Sequence, residues 1–340
     1  MQIEMGIDLS IIIVNYKSPA LIVNCLETIY AQTQSISFEI IVVDNASGDQ
    51  SREFILSRYP KVYWIEMAYN SGFARANNEG IRNAKGHIVL LLNSDTLIQD
   101  RAIERCYALL VLSEYIACGV QLLNRDGSAQ ISGNYFMKGG LNYLLPLPYL
   151  GKLFKRTGEL FRVRKPNLPD SNSTVEVDWV NGAFLMVKKE AIEKGGLLDE
   201  DFFLYAEEAE WCARLRKIGM ICIFGECKVV HLQGETAGAA FDSDDKSYKN
   251  LFDRKGLQIM LSNLVRIRKQ YGTAWFLTIL FFYIIEIPVF FAGFAISNLV
   301  YGKKALYSFS QFRGFCMNLF FLLKMTPVII RNRPFFYKAL

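Results

Sequence analysis

Ile88-Val89-Leu90-Leu91-Leu92-Asn93-Ser94-Asp95-Thr96 is an aliphatic run that stops on an isolated carboxylate. An unbroken apolar run predicts a strand buried on both faces, and in open α/β sheets such strands deliver ligand-binding groups at their carboxyl ends. Asp95 therefore falls where chemistry is usually carried out. Asn93, Ser94 and Asp95 also suit a plain turn ahead of a helix near Asp100, so the neighbouring segments decide how the stretch is read.

Outward from it, short β-branched runs at Leu9 to Val14, Glu39 to Val43, Val62 to Glu66 and His87 to Leu92 alternate with helical patterns. The helices are expected at Pro19 to Ala31, Asp49 to Arg58 and Phe73 to Ala84. Ser18 before Pro19 and the Ser47-Gly48-Asp49 turn mark two of the helix starts. Alternation of this kind predicts an α/β fold with a parallel, doubly wound sheet. A helix from Arg101 to Leu112 leads to a strand at Ile116 to Leu123, and the pattern then loosens. Residues 128 to 172 read as a long irregular segment, a candidate flap over an acceptor site. Regularity returns at Val175 to Lys188, in a helix at Ala206 to Lys217 and in strands from Met220 to His231.

Lys and Arg number 38 against 33 Asp and Glu, a formal charge of +5 that is too mild and dispersed to argue for nucleic acid. The seven cysteines are odd in number and lack a Cys-x-x-Cys pair, which predicts a reducing compartment. Cys222, Cys227 and His231 lack a fourth zinc ligand. The first eight residues carry Glu4 and Asp8 with no basic stretch, unlike a signal peptide.

Four motifs in order resemble the donor-site motifs of family 2 glycosyltransferases: Leu9 to Tyr16, Ile40 to Ser47, Asn70-Ser71-Gly72-Phe73-Ala74 with Asn77 and Gly80, and Leu92 to Thr96. Val177 to Phe184 and Phe202 to Trp211 resemble that family's acceptor-site motifs, in particular those of its rhamnosyltransferase-like branch. The resemblance implies a GT-A type fold, a nucleotide-binding sheet joined to an acceptor-binding half.

It also implies roles for individual residues. Val14, Asn15 and Tyr16 stand at the first donor motif, and Asp44 can accept the imide N–H of uracil or thymine unless it merely closes an Asx turn with Asn45. Asn70, Gly72 and Phe73 open a helix whose free N–H groups suit an anionic nucleotide, with Gly72 allowing close approach. Arg75 either adds charge to the diphosphate or is a solvated helix residue. Asp95 matches the second acidic position of the DxD metal motif, for Mg²⁺ or Mn²⁺, and Asn93 replaces the first. His231 matches a histidine that contacts metal or diphosphate. Glu208 stands where the family's catalytic base is expected, with Glu207 beside it as the alternative; adjacent carboxylates raise each other's pKa toward a base's working range. Asp178 would hold acceptor hydroxyls while Trp179 packs on a sugar face or in the core.

The last ninety or so residues change character, so residues 1–250 are expected to form the catalytic domain and 251–340 a membrane-associated helical region. Ala274 to Val300 is long enough to cross a ~30 Å hydrocarbon core at ~1.5 Å per residue. Glu286 and Pro288 interrupt it, so a kinked or re-entrant hairpin competes with a span. Ala305 to Ile330 carries Arg313 and Lys324 and suits an interfacial helix or a return pass. Arg266, Arg268 and Lys269 place the catalytic part on the cytoplasmic face of the cell membrane, whereas Lys303 and Lys304 argue against a clean span. A helical subdomain or a homo-oligomer interface is the soluble alternative.

The function expected is inverting, metal-dependent transfer of a sugar, with rhamnose favoured by the branch resemblance, from a dTDP- or UDP-sugar to a lipid-linked glycan in cell-surface polysaccharide synthesis. A nucleotidyltransferase would open with a glycine-rich basic loop, and Asn15-Tyr16-Lys17-Ser18 has no glycine. A non-catalytic membrane scaffold would tolerate the loss of Asp95 and Glu208.

Overall fold

The computed structural model describes residues 6–232, 250–301 and 306–339. Glu4, Lys303, Lys304 and Ala305, invoked above, lie outside these residues. The chain opens with β1 (Leu9–Asn15), α1 (Pro19–Gln32), β2 (Phe38–Asp44), α2 (Ser51–Leu56), β3 (Tyr63–Glu66) and α3 (Gly72–Asn83). It continues through β4 (Ile88–Leu92), β5 (Thr96–Ile98), α4 (Ala102–Leu112), β6 (Ala117–Leu123), β7 (Gly133–Asn134) and a 3-10 segment at Lys138–Leu144. After α5 (Leu150–Leu160) come β8 (Asn167–Leu168), β9 (Thr174–Val177), β10 (Trp179–Val180), β11 (Phe184–Lys188), α6 (Lys189–Gly195), α7 (Glu207–Leu215) and β12 (Ile221–His231). The last helices are α8 (Arg254–Tyr271), α9 (Thr273–Tyr301) and α10 (Phe309–Arg331).

Two compact units result. One comprises residues 6–135, 167–203 and 207–232, the other residues 136–166, 204–206, 250–301 and 306–339. In the first, the main sheet runs β3-β2-β1-β4-β11-β6-β12-β5, with β9 also on β12. Strands β3, β2, β1 and β4 are mutually parallel, as are β6 and β12. The sheet is nevertheless mixed, not parallel throughout, because β11 enters antiparallel between β4 and β6, and β5 and β9 pair antiparallel with β12. A strand buried on both faces, as Phe184–Val187 is, reads the same in either direction, so its apolar run carries no sign of orientation.

Alternate side chains of β1 and β4 build two apolar layers. Ile11, Ile13, Leu90 and Leu92 pack with Ile22 and Leu26 of α1 and Ile103 of α4, while Ile12 and Leu91 pack with Ala74 and Ala76 of α3 and Trp211 of α7. A Cβ on Gly80 would stand 2.5 Å from Ile12 Cγ2, so glycine sets how closely α3 lies on the sheet. Cys222 and Cys227 sit in this core, and burial pushes the Cys227 thiol up to about 12. Among the described residues no group of three or more His, Cys, Asp or Glu is placed to hold a metal, so the zinc reading is not carried.

Two further differences from the sequence reading concern regularity. The strands expected from Met220 onward are one strand, β12, whose register against β6 shifts between Phe224 and Lys228. The segment expected to be irregular contains the 3-10 segment and α5. Gly139 and Gly140, both at positive φ, interrupt its helical period and hide it from pattern reading. In the second unit, a Cβ on Gly139 would meet the Trp275 ring at 2.0 Å. Helices α9 and α10 are long and apolar enough to cross a membrane, by length and composition alone.

Candidate active site

The parallel register aligns Asn15 with Asp44 and Ile13 with Leu92, so β1, β2 and β4 end at the same edge of the sheet. Asn15, fully buried, donates from Nδ2 to Asp44 Oδ1 at 2.7 Å and to Ser47 Oγ at 3.1 Å. Ser47 donates its hydroxyl to Asp44 Oδ1 at 2.5 Å and its N–H to Oδ2 at 3.0 Å. Asp44 thus closes a turn on Ser47, and three of the about four acceptor positions of its carboxylate are filled from within the chain. One position on Oδ2 remains for a donor group. Val14 and Tyr16 are half-buried on either side of Asn15. Ser18 precedes α1 without capping it; its hydroxyl turns to Asn15 Oδ1 at 3.3 Å, and Pro19 starts the helix.

Asn45 clamps the next segment. Its Oδ1 accepts the Ser71 N–H at 2.8 Å, and its Nδ2 donates to Asn70 Oδ1 at 3.0 Å. Gly72, at φ +80°, donates to Asn70 Oδ1 at 3.2 Å. A Cβ at Gly72 would lie 2.2 Å from the Phe203 carbonyl oxygen, and that carbonyl accepts the Phe73 N–H at 2.8 Å. The missing side chain therefore admits Phe203, and two N–H groups at the start of α3 are satisfied within the chain. Arg75 donates from Nε to the Glu200 carbonyl at 3.0 Å and from Nη1 to Tyr69 Oη at 2.9 Å.

After β4, the Asn93 N–H donates to the Ala183 carbonyl at 3.0 Å and the Asn93 carbonyl accepts the Thr96 hydroxyl at 2.8 Å. The short strand β5 then pairs Thr96 with His231. This pairing delivers His231 Nε2 to 3.4 Å from Asp95 Oδ1, with both residues buried at 3 % and 5 % exposure. His231 Nδ1 lies 3.0 Å from Gln130 Oε1. The amide of Gln130 is oriented by its own donors, since Nε2 gives hydrogen bonds to the His231 carbonyl at 2.7 Å and to Asn124 Oδ1 at 2.8 Å. With Oε1 accepting, His231 donates from Nδ1 and presents Nε2 to Asp95. A carboxylate oxygen and an imidazole nitrogen so placed fit a hard divalent cation, which leaves its other positions to phosphate oxygens and water.

Of the acceptor-motif residues, Asp178, Trp179, Glu207 and Glu208 lie in the first unit, whereas Leu204, Tyr205 and Ala206 belong to the second. Glu207 and Glu208 open α7, after Tyr205 and Ala206 at φ +71° and +67°. Two successive non-glycine residues in the left-handed region cost about 1–2 kcal/mol each and are held only by their surroundings. Glu207 is 3 % exposed and its Oε2 has no hydrogen-bond partner among the described residues; burial first, and the Glu208 charge second, hold its carboxyl well above the usual range. Glu208 is half-buried and crosses Gly182, where a Cβ would be 3.7 Å from the Glu208 Cβ. Gly182 adjoins Ala183, the residue bound to Asn93, so Glu208 comes toward the β4 end through this loop. Asp178 Oδ1 is 3.3 Å from Arg216 Nη2, and Trp179 is half-buried against the apolar layer that contains Val180 and Trp211. Gln130 escaped sequence reading, because a lone glutamine in a turn-rich segment carries no pattern.

Residues 10–172 match the model of the family described as glycosyl transferase family 2. The chain belongs to that family. This family 2 chain is 32 % identical over 228 residues to the low-salt glycan biosynthesis hexosyltransferase of Haloferax volcanii, covering 66 % of each chain. It is 27 % identical over 200 residues to the dTDP-rhamnosyl transferase of Shigella flexneri, covering 58 % of this chain and 60 % of that one. It spans just under two thirds of the length of these curated relatives. The mannosyltransferase of Pyrobaculum calidifontis, solved with GDP-mannose and Mn²⁺, superimposes with a TM-score of 0.53 at 17 % identity, covering 97 % of the family 2 chain and 88 % of its own. That likeness establishes the GT-A fold.

Proposed function

We propose that this family 2 chain is an inverting glycosyltransferase that moves a sugar from a dTDP- or UDP-sugar to a lipid-linked glycan at the cytoplasmic face of the membrane. The dTDP-rhamnosyl transferase among its relatives favours rhamnose as that sugar. The observation that carries the reading is the buried Asp95–His231 pair at the carboxyl edge of the sheet.

Asp95 and His231 would hold Mg²⁺ or Mn²⁺, which supplies charge to the departing diphosphate. Asp44 and Asn15 address the base, with the remaining Oδ2 position accepting an imide N–H. Asn70, Gly72 and Phe73 form the floor beneath the nucleotide, and Val14, Tyr16 and Asn93 its margins. Glu208 takes the proton of the acceptor hydroxyl as that oxygen bonds to the anomeric carbon. The bond from that carbon to the diphosphate breaks on the opposite side and the diphosphate leaves with the electron pair, which inverts the configuration. Glu207, buried and with its carboxyl held above the usual range, stays out of the proton transfer; Asp178 and Trp179 hold the acceptor sugar.

Hydrolysis of a panel of sugar nucleotides, with and without Mn²⁺, tests the reading. Turnover of one or a few donors that requires metal is expected. Absence of both turnover and nucleotide binding across the panel would refute it.

A further inference from the structure

A spanning orientation of α9 would put Glu286 close to the bilayer centre, and the second unit is built in a way that excludes this. Glu286 is fully buried, and its carboxylate accepts the N–H groups of Tyr149 at 2.8 Å and Leu150 at 3.0 Å, the start of α5. From there α5 follows α9 backward. A Cβ on Gly293 would touch the Tyr149 ring at 2.5 Å, and the Phe154 ring meets that of Phe282 at 5.2 Å. Helix α5 carries Lys152, Lys155, Arg156 and Glu159, all exposed. Charged groups at mid-bilayer are costly even on permissive scales, so the stretch of α9 beside α5 lies outside the hydrocarbon centre.

The two faces of α9 also differ. Phe276, Ile279, Tyr283, Glu286 and Phe290 form a buried row, with Tyr283 stacked on Phe315 of α10 and Phe290 meeting the same ring edge-on. Leu277, Phe281, Ile284, Phe291, Ile296 and Leu299 form an exposed apolar row on the opposite side. Helix α10 exposes Phe309, Met317 and Phe320 beside Arg313 and Lys324, and Lys324 Nζ lies 4.4 Å from the Phe320 ring centre. Apolar rings interleaved with cations match the boundary between headgroups and acyl chains.

We infer that α9 and α10 do not cross the membrane: they dip their exposed apolar rows into one leaflet, and the basic side chains of α5 and α10 engage anionic phospholipid headgroups around them. This rests on the membrane association proposed above. Lys152, Lys155 and Arg156, against Glu159, with Arg162 just beyond the helix, give the α5 segment the charge complementary to such a surface.

The full chain is tested as Lys304→Cys and, as a control on the exposed surface of the first unit, Lys61→Cys, each in a Cys316→Ser background. A membrane-impermeant maleimide is applied to intact cells and to sealed inverted vesicles. Both positions should react only in inverted vesicles, or position 304 only after detergent. Labelling of position 304 in intact cells, with position 61 protected, would overturn the inference. Recovery of the chain in the soluble fraction would instead refute membrane association itself. A Lys152→Glu/Lys155→Glu/Arg156→Glu variant should bind phosphatidylglycerol vesicles about tenfold or more weakly, while its binding to phosphatidylcholine is unchanged. Equal loss on both vesicles would remove the headgroup contact.

Discussion

Gln130 and His231, 101 residues apart, meet through Oε1 and Nδ1 at 3.0 Å, and the amide of Gln130 returns to the His231 carbonyl at 2.7 Å. The histidine is held at both its ring and its backbone by one side chain. Partners that orient a metal-facing histidine typically contribute 10–100-fold in metal affinity. Gln130→Leu should therefore weaken Mn²⁺ binding by ~10-fold or more, read by electron paramagnetic resonance titration without donor. Gln130→Glu keeps an acceptor for Nδ1–H and should fall between the two. Unchanged Mn²⁺ affinity in Gln130→Leu would show that the ring needs no such support.

Asp95→Ala should abolish the gain in nucleotide affinity that metal provides, as measured by calorimetry with UDP and dTDP nucleotides. Loss of the carboxylate removes a charge from a site with one imidazole left, so the fold and the metal-free affinity should persist. A metal effect that survives the substitution would move the cation elsewhere.

Glu208→Gln should leave donor binding intact and reduce transfer by ~10²-fold or more, the range for losing general-base assistance. Glu207→Gln should retain most of the activity, because the amide replaces a buried carboxyl whose burial disfavours the charged form. Rates at saturating donor separate the two variants, and the opposite order would make Glu207 the base.

Glu207 also makes stability depend on pH. Its carboxyl is held above the unfolded value of about 4.5, so its contribution is complete below that pH and is lost as pH rises through the raised folded value. Thermal melts of Glu207→Gln should therefore decline less toward alkaline pH than those of the parent. Parallel curves from pH 5 to 9 would contradict the buried, protonated state.

Gly72→Ala places a Cβ at 2.2 Å from the Phe203 carbonyl at φ +80°. The left-handed conformation alone costs about 1–2 kcal/mol, and the clash adds to it. A lowered melting temperature is expected, together with weaker nucleotide binding as the start of α3 shifts. A wild-type melting curve would mean that Phe203 moves freely.

The sequence by itself determined the alternation of apolar strands and amphipathic helices, hence the α/β class, and it put Asp44 and Asp95 at strand ends. Those are local properties: period and turn chemistry are written in residues a few positions apart. Direction of pairing is not local, so β11 could be read as a strand but not as an antiparallel one. The meeting of Asp95 with His231 needed the β5–β12 register, and the hold of Gln130 on that ring needed the turn after β6. Glu207 and Glu208 are equivalent carboxylates in the sequence; only the folded chain buried one in the core and left the other half-exposed. Glu286 reads in the sequence as an anomaly within an apolar helix. Tertiary structure turns it into the cap of α5, because a buried carboxylate is tolerated only where N–H groups converge on it, and that convergence exists only in the folded chain.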